Sequence, residues 1–536
     1  MIQRLSRRQF VIASGQMLAA ARLAGAAPGK PQVGLVQSVH RKLSRTVGPD
    51  QELDYAMVRE MVWKAIEYGK PRAGSLEAKI KPGSWVVIKP NIVYLKPQIE
   101  YRSGDVTDQR VTRAVFEYVA EKSKAARITL AEGTSSRGLR DPLTDHVVTQ
   151  NDARVDASTY DWGDKEFPGV GGTMEGMFKD LSAKYPGRKF DFVDLSYDYV
   201  RDASGKPVLM DVPKLNGLGS FSNKKQYFVS NAISKCDFLI DVPVAKVHMG
   251  CGVTACFKNY VGTAPRALYF TGTGFWNMGL HRDHSVDGRL DPFIADLAAF
   301  HPPDYNVVDA IRGLQYSEHN NDLPDQMLRY NIVMAGEDTV SVDAVVATLL
   351  GFKPSDIDYL QMGAARGLGS LAVGQVEVVG DELDRLAGKW VKPRNWYARC
   401  NREWLVTRDP EANLASWKRH SSFGDTLYGD QALGGPANAA FAAAAIVQAD
   451  GNRKGFLWLG LMGKATVLLN GEKILEEENG TRYRVGQIQK AVQLRPGENQ
   501  LVFRLQAADE KPPQVAALLV GPSNDGDSLD GIHWSA

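Results

Sequence analysis

Between about residues 30 and 385, short apolar runs alternate with stretches whose apolar positions recur at helical spacing. Trp85-Val-Val-Ile88 follows Lys81-Pro82-Gly83 and reads as a buried strand opened by a turn. Val111, Val115, Tyr118 and Val119 mark a helix over 111–125. Arg127 to Ala131, Asp237 to Val242, Tyr305 to Val308 and Tyr330 to Met334 are further strand runs, and helical patterns follow at about 338–350 and 355–366. Strand, polar loop and helix in repetition predict an α/β fold, a mostly parallel sheet with helices on both faces.

The rhythm breaks over about 134–226, a stretch rich in Gly, Asp, Pro and Lys whose one strong strand run is Phe190 to Val193. This reads as an insertion into an α/β domain spanning 28–385, either a lid over the ligand edge of the sheet or a solvated excursion. Residues 386–420, with Trp390, Trp396, Trp404, Trp417, Pro393 and Pro410, read as a linker. From 421 to 536 strand runs dominate: Ala442 to Val447, Phe456 to Leu461, Ala465 to Leu469, Ala491 to Leu494, Gln500 to Leu505 and Val515 to Val520. Asn470-Gly471 between two of these runs is a hairpin signal, and the region is expected to form a C-terminal antiparallel β-sandwich.

The first 27 residues change the picture of where the chain works. Ser6-Arg7-Arg8-Gln9-Phe10-Val11 places two arginines ahead of a weakly apolar segment to Ala21, and Ala24-Gly25-Ala26 fits a cleavage site. The apolar segment is much shorter than the about 20 residues that a membrane span needs. The reading is a twin-arginine signal peptide over 1–27 and a periplasmic or secreted protein exported by the twin-arginine pathway, with that machinery as a partner and no integral membrane segment. The 64 basic and 62 acidic residues nearly cancel, so no global field points to nucleic acid. Cys236, Cys251, Cys256 and Cys400 include no Cys-x-x-Cys pair, which argues against a zinc ribbon or thiolate-held cluster and favours buried, inert thiols over a Cys251–Cys256 disulfide.

Open parallel sheets bind ligands at the C-terminal ends of their strands. The polar residues there are Lys89 and Asn91 after Ile88, Glu132 after Ala131, Lys246 and His248 after Val242, and Asp309 after Val308. Thr254 and Lys258 share a face if Val253 to Val261 is helical, and Asn259 adjoins them. Lys89, Lys246 and Lys258 together would make a positive pocket for a carboxylate or phosphate, and a buried lysine loses its proton readily enough to serve as base or nucleophile. Lys246, His248 and Lys258 are the catalytic candidates, with Lys89, Asn91, Asp108, Glu132, Thr254, Asn259 and Asp309 binding the ligand. His281 and His284, three apart in a Gly-flanked segment, form with Asp343 a candidate metal site, so a metal ion is a possible cofactor. No Gly-x-x-x-x-Gly-Lys-Ser/Thr loop and no Gly-x-Ser-x-Gly elbow is present.

Lys89-Pro90-Asn91, Thr107-Asp108-Gln-Arg110, Ala131-Glu132-Gly133, Lys246-Val-His248, Thr254 with Phe257-Lys258-Asn259-Tyr-Val-Gly262, Val308-Asp309-Ala310, and Glu337-Asp338 with Val342-Asp343-Ala344 occur in that order. Together they resemble the bacterial and archaeal domain of unknown function numbered 362, over about residues 85–370. Some members of that family carry ferredoxin-like cysteine motifs, which this chain lacks. Trp458-Leu-Gly460, Val467 to Gly471, Leu494 to Asn499 and Leu501-Val-Phe503 resemble galactose-binding-like β-sandwiches appended to secreted enzymes. The resemblance implies a framework role for Asn470 and Gly471. The reading that follows is an exported α/β enzyme binding an anionic small molecule or polysaccharide end. The alternatives are a non-catalytic glycan-binding envelope protein and a metal- or cofactor-dependent redox protein.

Overall fold

Eight strands form one mixed sheet: β1 (Gln32–Gln37), β2 (Trp85–Pro90), β3 (Arg127–Glu132), β4 (Lys189–Asp194), β5 (Phe238–Val242), β8 (Tyr305–Leu314), β9 (Met327–Gly336) and β10 (Glu377–Gly380). A hairpin of β6 (Lys246–His248) and β7 (Gly252–Thr254) stands apart from it. The computed structural model describes residues 29–92, 101–133, 139–140, 147–148, 173–222, 224–269, 290–319, 323–422, 424–480, 484–508 and 512–536. The twin-arginine segment, His281 and His284 lie outside these residues, as does much of 134–172.

The strand order is β10-β1-β9-β8-β5-β2-β3-β4. All neighbours are parallel except β9, which runs antiparallel to both β1 and β8. The chain moves outward from β2 to β3 and β4, then returns to place β5 on the other side of β2 and continues to β8. The connections thus leave β2 and β5 in opposite directions, which makes the C-terminal edge of this pair the topological switch point where open α/β sheets bind ligands. Lys89 pairs with Asp241 and Pro90 with Val242 at that edge.

Alternate strand residues enter two separate cores, as the two-residue period of a strand requires. Val36, Val86, Ile88, Ile128 and Leu130 pack with Met61 and Val62 of α1 (Tyr55–Tyr68) and Val115 and Val119 of α2 (Gln109–Lys122). Val33, Leu35, Val87 and Leu239 join the other core, with Phe293 of α5 (Asp291–Phe300), Val342 and Val346 of α6 (Thr339–Leu349) and Leu360 of α7 (Asp358–Ala365). The central strands are buried on both sides, which explains their unbroken apolar runs. Asp54 and Asp108 cap α1 and α2, accepting the amides of Met57 and Arg110 at 2.9 Å each.

Two stretches differ from expectation. The segment read as an insertion supplies α3 (Met174–Lys184) and the edge strand β4, so part of it belongs to the sheet itself. The stretch read as a linker contains Glu403–Thr407, which pairs with Phe441–Ala449. Beyond it an antiparallel sheet curls around one long strand, Arg453–Leu469, with the order Lys418–Ser421, Glu403–Thr407, Phe441–Ala449, Gly497–Gln506, Arg453–Leu469, Gln514–Val520. The two runs Phe456 to Leu461 and Ala465 to Leu469 are therefore one strand, bent where Gly463 takes φ +92° and the register slips. Among the described residues no helix is long and apolar enough to cross a membrane.

Candidate functional site

At the β2–β5 edge the side chains form a closed buried group. The Lys89 ammonium is 1% exposed and donates to Glu132 Oε1 at 3.1 Å, Asn259 Oδ1 at 3.0 Å and the Pro90 carbonyl at 3.0 Å. Asn259 in turn donates to Asp241 Oδ1 at 2.7 Å, and Glu132 accepts the amides of Ile92 and Gly133. Burial pushes the Asp241 carboxyl well above the usual range against the pull of Lys89 and Asn259. Burial raises Glu132 as well, and Lys89 and the two amides oppose it. Gly262 lies directly over the pair, so that a methyl group there would come within 2.8 Å of both Lys89 Nζ and Glu132 Oε1.

A second group surrounds the β6–β7 hairpin. Lys246, opposite Thr254 in the ladder, donates to Asp105 Oδ1 at 2.7 Å and to the Glu318 carbonyl at 2.7 Å. Burial alone would raise Asp105, but Lys246 and His319 hold it down at about 2. His248 Nδ1 accepts the Gly250 amide at 3.0 Å, so the neutral ring carries its proton on Nε2, which faces Glu318 Oε1 at 3.5 Å. Glu318 is likewise held down at about 2, where burial is outweighed by His248 and the Met249 amide.

These contacts revise the expected pocket of three lysines. A buried ammonium needs a partner, and Lys89 and Lys246 spend their charge on Glu132 and Asp105. Lys258 differs. It is half-buried at the end of the one-turn helix α4 (Cys256–Asn259), and among the described residues its ammonium has no hydrogen-bond or ion-pair partner. Burial, reinforced by Lys246 and Arg266, lowers its pKa against the opposing charges of Cys251 and Glu318. Thr254 ends β7 rather than joining Lys258 on a helix, because Ala255 interrupts the chain with φ −154° and ψ −142°. Among the described residues, Thr254 Oγ1 and Asn91 Oδ1 are buried polar atoms with no hydrogen-bond partner, a rare condition in a folded interior.

The remaining expected residues hold the frame. Asp309 accepts the amides of Asp108 and Ile311 at 2.7 and 2.9 Å, and its backbone grips Pro243 and Ala245, which fixes the approach to Lys246. Burial and the nearby Asp108 push its carboxyl up to about 7. Asp108 pairs with Arg110 at 2.6 Å and lies 3.5 Å from Arg312. Asp343 accepts the amides of Cys256 and Phe257 at 2.8 and 3.0 Å and so anchors the start of α4. Among the described residues no group of three or more His, Cys, Asp or Glu could hold a metal ion. All four cysteines are buried.

Sequence reasoning missed Asp105, Glu318, His319, Asp241 and Arg266. Asp241 had a signal, a carboxylate inside the apolar run 237–242. Asp105, Glu318 and His319 lie in polar loops with no periodicity, and only the fold brings them to Lys246.

No curated protein matches the chain. Among solved structures, the β-glucosidase from Kluyveromyces marxianus is 11% identical with a TM-score of 0.19, over 23% of this chain and 16% of that one. The lactate racemase apoprotein from Thermoanaerobacterium thermosaccharolyticum is 11% identical with a TM-score of 0.27, over 52% of each chain. A family 35 carbohydrate binding module from an environmental isolate is 16% identical with a TM-score of 0.14, over 18% of this chain and 72% of that one. The chain thus spans about a sixth of the β-glucosidase and about half of the racemase. Residues 195–348, which carry the Lys246, Thr254, Phe257-to-Gly262, Asp309 and Asp343 motifs, match the family described as domain of unknown function (DUF362).

Proposed function

We propose that this chain is an exported enzyme acting on a small anionic molecule or the anionic end of a polymer at the C-terminal edge of its α/β sheet. The observation that carries the reading is Lys258, a half-buried ammonium without a partner among the described residues, on an edge where the other two lysines are neutralised. An uncompensated cation in a partly dry site attracts an anion, and its lowered pKa also suits proton transfer or nucleophilic attack. Lys258 is the group that touches the substrate. His248 and Glu318 form the adjacent acid–base pair, with Asn91 and Thr254 supplying polar atoms that orient the ligand. Export rests on Arg7-Arg8 and the short apolar segment behind them.

Calorimetric titration of the full chain with inorganic phosphate and a series of short carboxylates tests the site. Binding that disappears in Lys258→Met and persists when the surface residue Lys122 is changed to Met supports the reading. Equal binding by both variants, or no binding of any of these anions by the unaltered chain, overturns it. Replacing Arg7 and Arg8 by lysine and following the protein across cell fractions tests export, and undiminished export by the variant argues against the twin-arginine route.

A further inference from the structure

We infer that the C-terminal sheet serves the site as a positioning unit, acting through the strap Trp390–Trp396 that grips both site-bearing loops from behind. The inference rests on the site reading above only in taking the β6–β7 hairpin and the 313–319 loop as functional.

Trp396 is 5% exposed, and its six-membered ring lies on Gly252 of the hairpin, where a Cβ would come within 2.4 Å of Cζ3. Gly252 takes φ +81° and pairs with His248, so the ring contacts the hairpin at the residue opposite His248. The ring also meets Phe352 edge-on at 5.1 Å. Its far side is tied to the C-terminal unit, since Trp396 Nε1 donates to Asp527 Oδ1 at 2.8 Å. Lys392 pairs with the same carboxylate, and the Ala398 amide donates to the Gly526 carbonyl at 2.8 Å.

The other end of the strap holds the second loop. Trp390 is 3% exposed and lies on Gly313, where a Cβ would be 2.6 Å from its ring. The Tyr316 amide donates to the Val391 carbonyl at 2.8 Å, and the Val391 amide donates to Gln315 Oε1 at 2.9 Å. Those bonds fix the stem from which Glu318 reaches Lys246 and the Met249 amide. One short segment therefore sets the relative position of the two loops, and Asp527 sets the position of the segment.

Two substitutions separate positioning from simple folding. Asp527→Ala removes the anchor, while Asp527→Asn keeps a carbonyl oxygen for the Trp396 N–H. Amide hydrogen exchange of the full chain is followed over 246–256 and 313–318, with 86–88 and 109–122 as internal references. The pH profile of Lys258 acylation by acetic anhydride is read by peptide mass analysis on the same samples.

Asp527→Ala is expected to speed exchange in the two loops by about tenfold, through easier local opening, with the references unchanged. It should also shift the midpoint of Lys258 acylation, and Asp527→Asn should restore most of both effects. Unchanged loop exchange, or acceleration spread equally over the references, overturns the inference. Should Asp527→Ala fail to fold, Trp396→Leu on the same readouts decides, because it leaves Asp527 paired with Lys392. Failure of the site reading itself shows separately, in the phosphate and carboxylate titration of Lys258→Met, and leaves the exchange result intact.

Discussion

Gly262 and Lys89 are in direct steric contact: a methyl group on the glycine would lie 2.8 Å from the lysine Nζ and 3.2 Å from its Cε. The backbone of the Phe257-to-Gly262 segment thereby closes the buried Lys89–Glu132 pair from above. Gly262→Ala must push the ammonium away from Glu132 or lift the 260–263 turn. Disrupting a buried ion pair from one side costs about 3–5 kcal/mol, and the expected loss for Gly262→Ala is about 3 kcal/mol in urea unfolding. Gly374→Ala, in another short turn (Val373–Gln375) with no positive φ and nothing within 4 Å, serves as the control for adding a methyl group alone. Equal losses in the two variants would refute the steric account.

The three lysines of the edge should part company in stability. Lys89→Met strands Glu132 as a buried carboxylate and should lose about 3 kcal/mol, and Lys246→Met, which leaves the part-buried Asp105 with His319 as its remaining partner, should lose about 2 kcal/mol. Lys258→Met breaks no hydrogen bond or ion pair among the described residues. It should leave the unfolding midpoint within about 0.5 kcal/mol of the parent, or raise it slightly by relieving repulsion from Lys246 and Arg266. A strongly destabilised Lys258→Met would assign that lysine to the frame rather than to a ligand.

Asp105 makes a pH prediction of definite sign. Its carboxyl is held at about 2 in the fold, against about 3.9 in an unfolded chain. A depressed carboxylate stabilises the fold above the unfolded value, and that contribution disappears as the pH falls through the folded value. The interactions of Asp105 with Lys246 and His319 are thus worth about 2 kcal/mol above pH 5, and this is lost as the pH falls through about 2. Asp105→Asn should melt well below the parent at pH 6, and the gap should close steadily between pH 4 and 2. A gap independent of pH over that window would show that packing, not charge, holds Asp105.

How much of this was legible beforehand follows from the kind of signal each element carries. Strands β2, β3, β5 and β8 announced themselves because both sides are buried, which leaves runs such as Val86-Val-Ile88 without polar interruption. Lys89, Glu132 and Lys246 were found because strand ends in a parallel sheet are a place where chemistry gathers, and Asn259 because it adjoins Lys258. Their pairing was not legible. Nothing local tells that Lys246 meets Asp105 across 141 residues or that Lys89 meets Asn259 across 170. Read alone, each lysine looked like a free positive charge. Strand β4 was legible as the run Phe190 to Val193 but not as part of the main sheet, since Lys189, Asp191 and Asp194 give it the polar face of an edge strand whose Asp191 pairs with Arg127. The tryptophans of the expected linker were visible as residues but not as a strap, because their partners Gly252, Gly313 and Asp527 come from three distant stretches.

Asn470 closes the case for a framework role in the C-terminal sheet. It takes φ +53° and Gly471 takes φ +85°, the paired left-handed conformations of the two-residue hairpin that joins Leu469 to Glu472. Its Oδ1 accepts the Gln500 amide at 2.9 Å, and its Nδ2 donates to Asn499 Oδ1 at 3.1 Å. Asn499 is fully buried and binds the Arg495 amide and the Arg495 and Gly497 carbonyls, so the two asparagines knit the hairpin to the turn at Arg495–Gly497. Asn470→Gly retains the backbone conformation and loses both bonds, which predicts a cost of about 1–2 kcal/mol. Asn470→Ala adds the left-handed penalty of a Cβ, about 1 kcal/mol more. Thermal unfolding of the two variants should reproduce that order. Were Asn470 instead a sugar ligand, both substitutions would leave the melting temperature in place and change only the binding of glycans.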